Sequence, residues 1–152
     1  MPAQQRKIKH CVSHGSTRKI AENVLIDTNE AYMLDMINEA NADGLCVGHA
    51  HKPYHRFSET ATGYKHLINI GPVGTPKDNN AAGCYVRIIL NVKSTLSEKD
   101  GSKVGLIRVN YGVEKAAKAV EESTLPNELT KCSAGVINAF LKSHPTVICS
   151  LS

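Results

Sequence analysis

The chain is 152 residues long, 41% hydrophobic and 5% aromatic with no tryptophan, and 18 basic against 14 acidic side chains give it a formal net charge of +4. That length and apolar content fit one domain with an aliphatic core and exclude a disordered chain. The small, scattered positive charge and the few aromatic rings argue against a nucleic-acid or membrane partner. Five cysteines, at 11, 46, 84, 132 and 149, include no C-x-x-C pair. They read as small buried hydrophobes in a reducing cytoplasm rather than as a disulfide framework. The N-terminus MPAQQRKIKH has no apolar signal region and no stretch is long enough for a membrane span, so a cytoplasmic protein is expected.

Along the chain, KIKHCVS at 7–13 predicts a short strand that delivers His14-Gly15 to the loop at its end. Asp27 with Glu30 predicts a helix start, and Ala31, Leu34, Ile37 and Ala40 recur near helical spacing up to a stop at 41–44. Gly44-Leu45-Cys46-Val47 is apolar on both faces, as in a strand buried within a sheet layer. A polar connection follows, then a strand over 66–71 closed by the breakers Gly71 to Pro76. Residues 84–92 and 104–111 predict a hairpin. Val113, Ala116, Ala117 and Val120 predict a helix ending near Thr124, and a further helical pattern covers 127–142. The fold class is therefore α/β, a mixed sheet flanked by helices, with no internal repeat.

The chemistry concentrates in GHAHKPYHR at 48–56, which holds three of the seven histidines. In extended backbone the side chains at i and i+2 project to one side, so His49 and His51 can face one pocket from the end of a buried strand, where α/β proteins place ligands. Imidazole is the commonest protein ligand of first-row metals, and His14-Gly15 stands at a second strand end. The bland alternative is surface or packing histidines. His55, beyond Pro53, reads as an exposed loop residue.

The succession CVSHGS, helix, LCVGHAHKPYHR, LINIGPVGTPKDNNAAGCYVRIIL and RVNYGVEKAAKAVEESTLP resembles the C-terminal half of a calcineurin-like metallophosphoesterase of the small prokaryotic phosphodiesterase group. The resemblance rests on HG, GHxH and N-x-G-x-V-G-x-P arriving in that order. It assigns 1–135 to the C-terminal portion of such a domain and leaves 136–152 as a helical extension and unassigned tail. It implies half of a four-layer α/β/β/α sandwich and a hydrolase acting on a phosphoester, with two divalent ions (Mn, Fe or Zn) activating water for attack on phosphorus. It implies that His14 and His49 ligate one ion and His51 the other. Arg18, Asn69 and Gly71 are then candidate substrate-binding residues, with Arg56 a further phosphate contact or a plain surface arginine. Family members usually carry serine where Pro72 stands here.

The family's Asp-x-His, Gly-Asp and Gly-Asn-His motifs occur nowhere in these residues. Without their carboxylates nothing offsets the repulsion between two close cations, and no catalytic proton-handling histidine is assigned. The resemblance implies that an absent N-terminal half supplies them along with one of the two sheets, this chain supplying the other. The uncovered apolar sheet face is then expected to bind that half or a second copy. The competing readings are an inactive relative kept as a binding or scaffold domain, and a structural zinc site, which lacks thiolates at the usual spacing.

Overall fold

A computed structural model describes residues 8–90 and 101–124. In chain order the elements are β1 (His10–Val12), α1 (Glu30–Glu39), β2 (Gly44–Val47), β3 (Tyr54–Thr60), β4 (Gly63–Asn69), β5 (Gly83–Leu90), β6 (Ser102–Val109) and α2 (Val113–Glu121). They form a four-stranded sheet, β1-β2-β4-β3, and a two-stranded sheet, β5-β6. β1, β2 and β4 run parallel, while β3 is antiparallel to β4. The mixed α/β class and the β5-β6 hairpin are as expected. The 127–142 helix, the 136–152 extension and the 91–100 connection lie outside the described residues.

Three expectations are corrected. The strands do not all join one sheet: both edges of β4 are taken, by β2 and β3, so the chain leaves through the 70–82 loop and β5 pairs with β6 alone. The supposed polar connection is β3. Its alternation of Tyr54, Arg56 and Ser58 with His55, Phe57 and Glu59 is a period-2 pattern, and Gly63 (φ 112°) turns it back into β4. The α1 cap is Asn29, not Asp27: the Asn29 side chain accepts from the Tyr32 backbone N–H at 3.3 Å. Ala31 is exposed as a result, and the buried stripe is Met33, Met36 and Ile37.

That stripe packs on Leu45 and Val47 of β2, Leu67 of β4, and Tyr54 and Val24 to make the core. The register sets Leu45 beside Leu67, one row of the face that meets α1. Burial of each such side chain contributes about 1.5–3 kcal/mol. A buried ion pair pins the turn between α1 and β2. Lys65 Nζ donates to Asp43 Oδ1 at 3.1 Å and to the Ala42 carbonyl at 2.6 Å, while Asp43 Oδ2 accepts from the Lys9 N–H at 2.9 Å. β6 meets the edge strand β3, and α2 borders with the hairpin an apolar cavity of about 590 Å³. Among the described residues no helix is long and apolar enough to cross a membrane, and Cys11, Cys46 and Cys84 are free thiols. Asn29→Ala leaves the Tyr32 N–H without its side-chain acceptor and is expected to cost about 1 kcal/mol, read as a lower urea midpoint at unchanged m-value.

Candidate metal centre

Because β1, β2 and β4 are parallel, their C-terminal ends share one edge of the sheet, and the loops after Val12, Val47 and Asn69 meet there. Backbone bonds tie these loops together before any side chain is considered. The His14 carbonyl accepts from Gly48 N–H at 2.9 Å and from His49 N–H at 2.8 Å. The Ile70 N–H donates to the Val47 carbonyl at 2.7 Å. The His14 loop closes on itself: Ser16 N–H donates to the Lys19 carbonyl at 3.0 Å, and Ser16 Oγ accepts from the Arg18 and Lys19 N–H groups at 3.0 and 2.9 Å.

This framework brings two of the three expected ligands into contact. His14 Nε2 and His49 Nδ1 lie 3.0 Å apart, with ring centroids separated by 5.0 Å and planes inclined at 68°. That separation is the length of a hydrogen bond between the two rings, in which either nitrogen can be the donor. His51 is held differently. Its Nδ1 lies 2.9 Å from the Thr75 carbonyl oxygen, and its backbone is left-handed at φ 54°. Among the described residues no group of three or more His, Cys, Asp or Glu side chains is arranged to hold a metal ion.

The remaining candidates have structural ties. Arg18 Nε donates to Glu39 at 3.1 Å, its guanidinium stands 3.9 Å from Asp35, and it lies over the Tyr32 ring at 4.8 Å. Arg56 donates to the Ile26 and Thr28 carbonyls and straps the chain ahead of α1 to β3. Asn69 is fully buried, and its Oδ1 accepts from the Gly71 N–H at 3.0 Å. Its Nδ2 is buried with no partner among the described residues. Gly71 (φ 82°) has no room for a side chain, since a Cβ there would sit 2.8 Å from Pro53 Cβ.

His55 is not an exposed loop residue. It lies half-buried in β3, with Nε2 3.0 Å from His66 Nδ1 and the two rings stacked at 16°. His10 joins them across the sheet, its ring centroid 6.4 Å from that of His66 and both its nitrogens buried without partners among the described residues. Burial pushes all three pKa values below the usual imidazole value: His10 despite the opposing charge of Asp43, His55 with help from His10, and His66 furthest, to about 4, with help from His55 and His10. No motif marks this trio. Only the pairing of His66 with Phe57, and of His10 with Gly44 and Gly44 with His66, sets the rings on one face, and those pairings require knowing that 54–60 is a strand.

No protein-family model matches the chain, and no curated protein matches it in sequence. Solved structures do match. The chain is similar to a metallophosphoesterase from Sphaerobacter thermophilus, with 22% identity and a TM-score of 0.58 over 90% of this chain and 59% of that one. It is also similar to a hypothetical protein from Pyrococcus horikoshii OT3, with 19% identity and a TM-score of 0.56 over 80% of this chain and 44% of that one. The fold is similar to that of the metallophosphoesterase, and the chain spans less than two thirds of the length of either matched structure.

Proposed function

We propose that these residues are the histidine-bearing part of a metal-dependent phosphoester hydrolase. His14 and His49 hold one divalent ion and His51 holds a second. The observation that carries this reading is the 3.0 Å approach of His14 Nε2 to His49 Nδ1 from the ends of two adjacent parallel strands, within a metallophosphoesterase fold. Two divalent ions (Mn, Fe or Zn) would polarise the phosphoryl group and generate the nucleophile. This chain's own contribution is positional: β1 and β2 fix the separation of the rings, and the His14 carbonyl, bonded to Gly48 and His49, fixes their relative height.

The carboxylates that two close cations need come, on this reading, from polypeptide outside these 152 residues. Apolar side chains wait at the sheet margins for such a partner: Val12 on β1 is 72% exposed, and Ile89 and Leu90 on β5 are 51% and 44% exposed. The chain by itself is then inactive. Asn69 and Gly71 shape the loop beside the substrate, and Arg18 reaches a phosphate only by releasing Glu39.

The test is phosphodiester hydrolysis by the chain combined with a polypeptide carrying the Asp-x-His, Gly-Asp and Gly-Asn-His motifs. Activity is expected to depend on added Mn²⁺, and His49→Ala is expected to reduce it to background and to weaken metal binding by at least about 100-fold. Undiminished hydrolysis by His49→Ala removes this residue from the centre.

A further inference from the structure

Among the described residues four non-glycine residues are held at positive φ, and two of them, His51 at 54° and Thr75 at 41°, face each other. Such conformations are unfavourable for an L side chain and persist only where surrounding contacts hold them. Here the contacts are reciprocal. His51 Nδ1 lies 2.9 Å from the Thr75 carbonyl oxygen, and the Lys77 N–H donates back to the His51 carbonyl at 3.3 Å. The His51 N–H is used as well, donating to the Gly48 carbonyl at 3.0 Å. The loop before Pro76 and the loop after β2 are thus clasped at a single imidazole.

A carbonyl oxygen only accepts, so Nδ1 must carry the proton in this contact. A neutral imidazole has one N–H, which leaves the lone pair on Nε2. We propose that Thr75 is a positioning residue whose backbone carbonyl locks His51 in the Nδ1–H tautomer and so reserves Nε2 as its ligating or accepting atom. The contrast with the neighbouring pair is informative. His14 Nε2 and His49 Nδ1 face each other, either can donate, and their tautomers are interchangeable until something else binds between them. His51 has no such choice, because its orientation is set by main chain from another loop. This inference rests on the proposed role of His51 only for its consequence; the tautomer itself does not depend on a metal.

The side chain of Thr75 makes none of these bonds, so its backbone angle is the handle. Thr75→Gly adopts φ 41° freely and keeps the carbonyl in place, whereas Thr75→Pro is fixed near −65° and swings it away. The experiment is ¹⁵N-edited NMR of the histidine rings in the full, metal-free chain, above the ordinary imidazole titration range. Wild type and Thr75→Gly are expected to show His51 protonated at Nδ1, and Thr75→Pro to shift it toward Nε2–H. An Nε2–H tautomer in the wild type overturns the proposal, as does an unchanged Nδ1–H tautomer in folded Thr75→Pro; if Thr75→Pro does not fold, the wild-type spectrum alone decides. Mn²⁺ affinity then separates the two ideas. Folded Thr75→Pro is expected to lose about 10- to 100-fold. If His51→Ala binds Mn²⁺ as the wild type does while the Nδ1–H tautomer holds, the ligand role of His51 falls and the clasp stands.

Discussion

Stability is expected to fall steeply as the pH drops from 6.5 toward 4, because three imidazoles buried on one sheet face must then be protonated in the unfolded chain before they can be protonated in the native one. His66 carries most of the effect: its ordinary pKa of 6.5 is lowered to about 4 by burial and by its neighbours His55 and His10. A histidine with a depressed native pKa contributes its full stabilisation above the unfolded value, loses it progressively as the pH falls through the interval, and has lost all of it below the native value. At about 1.4 kcal/mol per pKa unit, His66 alone is worth about 3 kcal/mol across that window. His10 and His55 shift in the same direction and add to it. Asp43 opposes the trend by favouring charged His10 and His66, but burial outweighs it at both positions. Urea denaturation at a series of pH values measures this. The midpoint should decline from pH 6.5 to 4, and His66→Phe should flatten the decline. A midpoint independent of pH between 7 and 5 would mean that water reaches these rings.

A single methyl group at Gly15 is expected to weaken the proposed metal centre, while the same change at Gly48 is harmless. The Cβ of Gly15→Ala would stand 2.5 Å from the Lys19 carbonyl oxygen and 2.7 Å from the Ile20 carbonyl carbon. Both are main-chain atoms in a loop closed by the Ser16 hydrogen bonds, so no side chain can swing aside, and the loop must open. His14 is the preceding residue and moves with it. At Gly48 the nearest atom to a new Cβ is the His14 carbonyl oxygen, at 3.9 Å, an ordinary contact. Gly15→Ala is therefore expected to cost about 1–3 kcal/mol of stability and at least about 10-fold in Mn²⁺ affinity. Gly48→Ala should match wild type in both. Calorimetric titration beside urea melts distinguishes the two variants, and equal affinity in Gly15→Ala and wild type would detach the His14 loop from metal binding.

What was legible in the sequence followed physical periodicity. Gly44–Val47 is apolar at every position, and a strand buried on both faces leaves no other reading. The hairpin residues Cys84–Leu90 and Val104–Val109 carry dense β-branched side chains, and His14 and His49 could be placed at strand ends because those strands were found. β3 was not legible as a strand. Its polar positions, Glu59 and Thr60 among them, dilute an alternation that Tyr54, Arg56 and Ser58 complete only through long-range partners: Val24 for the Tyr54 hydroxyl, Thr28 for Arg56 and Glu30 for Ser58. Losing β3 also misplaced His55 and hid the His10–His55–His66 trio, which exists only through cross-strand registry. The positive φ of His51 and its bond to Thr75, 24 residues later, have no local signature in an H-x-H motif.

X-ray absorption of the zinc-loaded full chain tests most directly whether imidazoles from two strand ends share a cation. Multiple-scattering features of two imidazoles on one ion are expected in the wild type, with His14→Ala and His49→Ala each reducing them to one. A bound ion whose spectrum contains no imidazole, or is the same in all three proteins, would contradict a shared site.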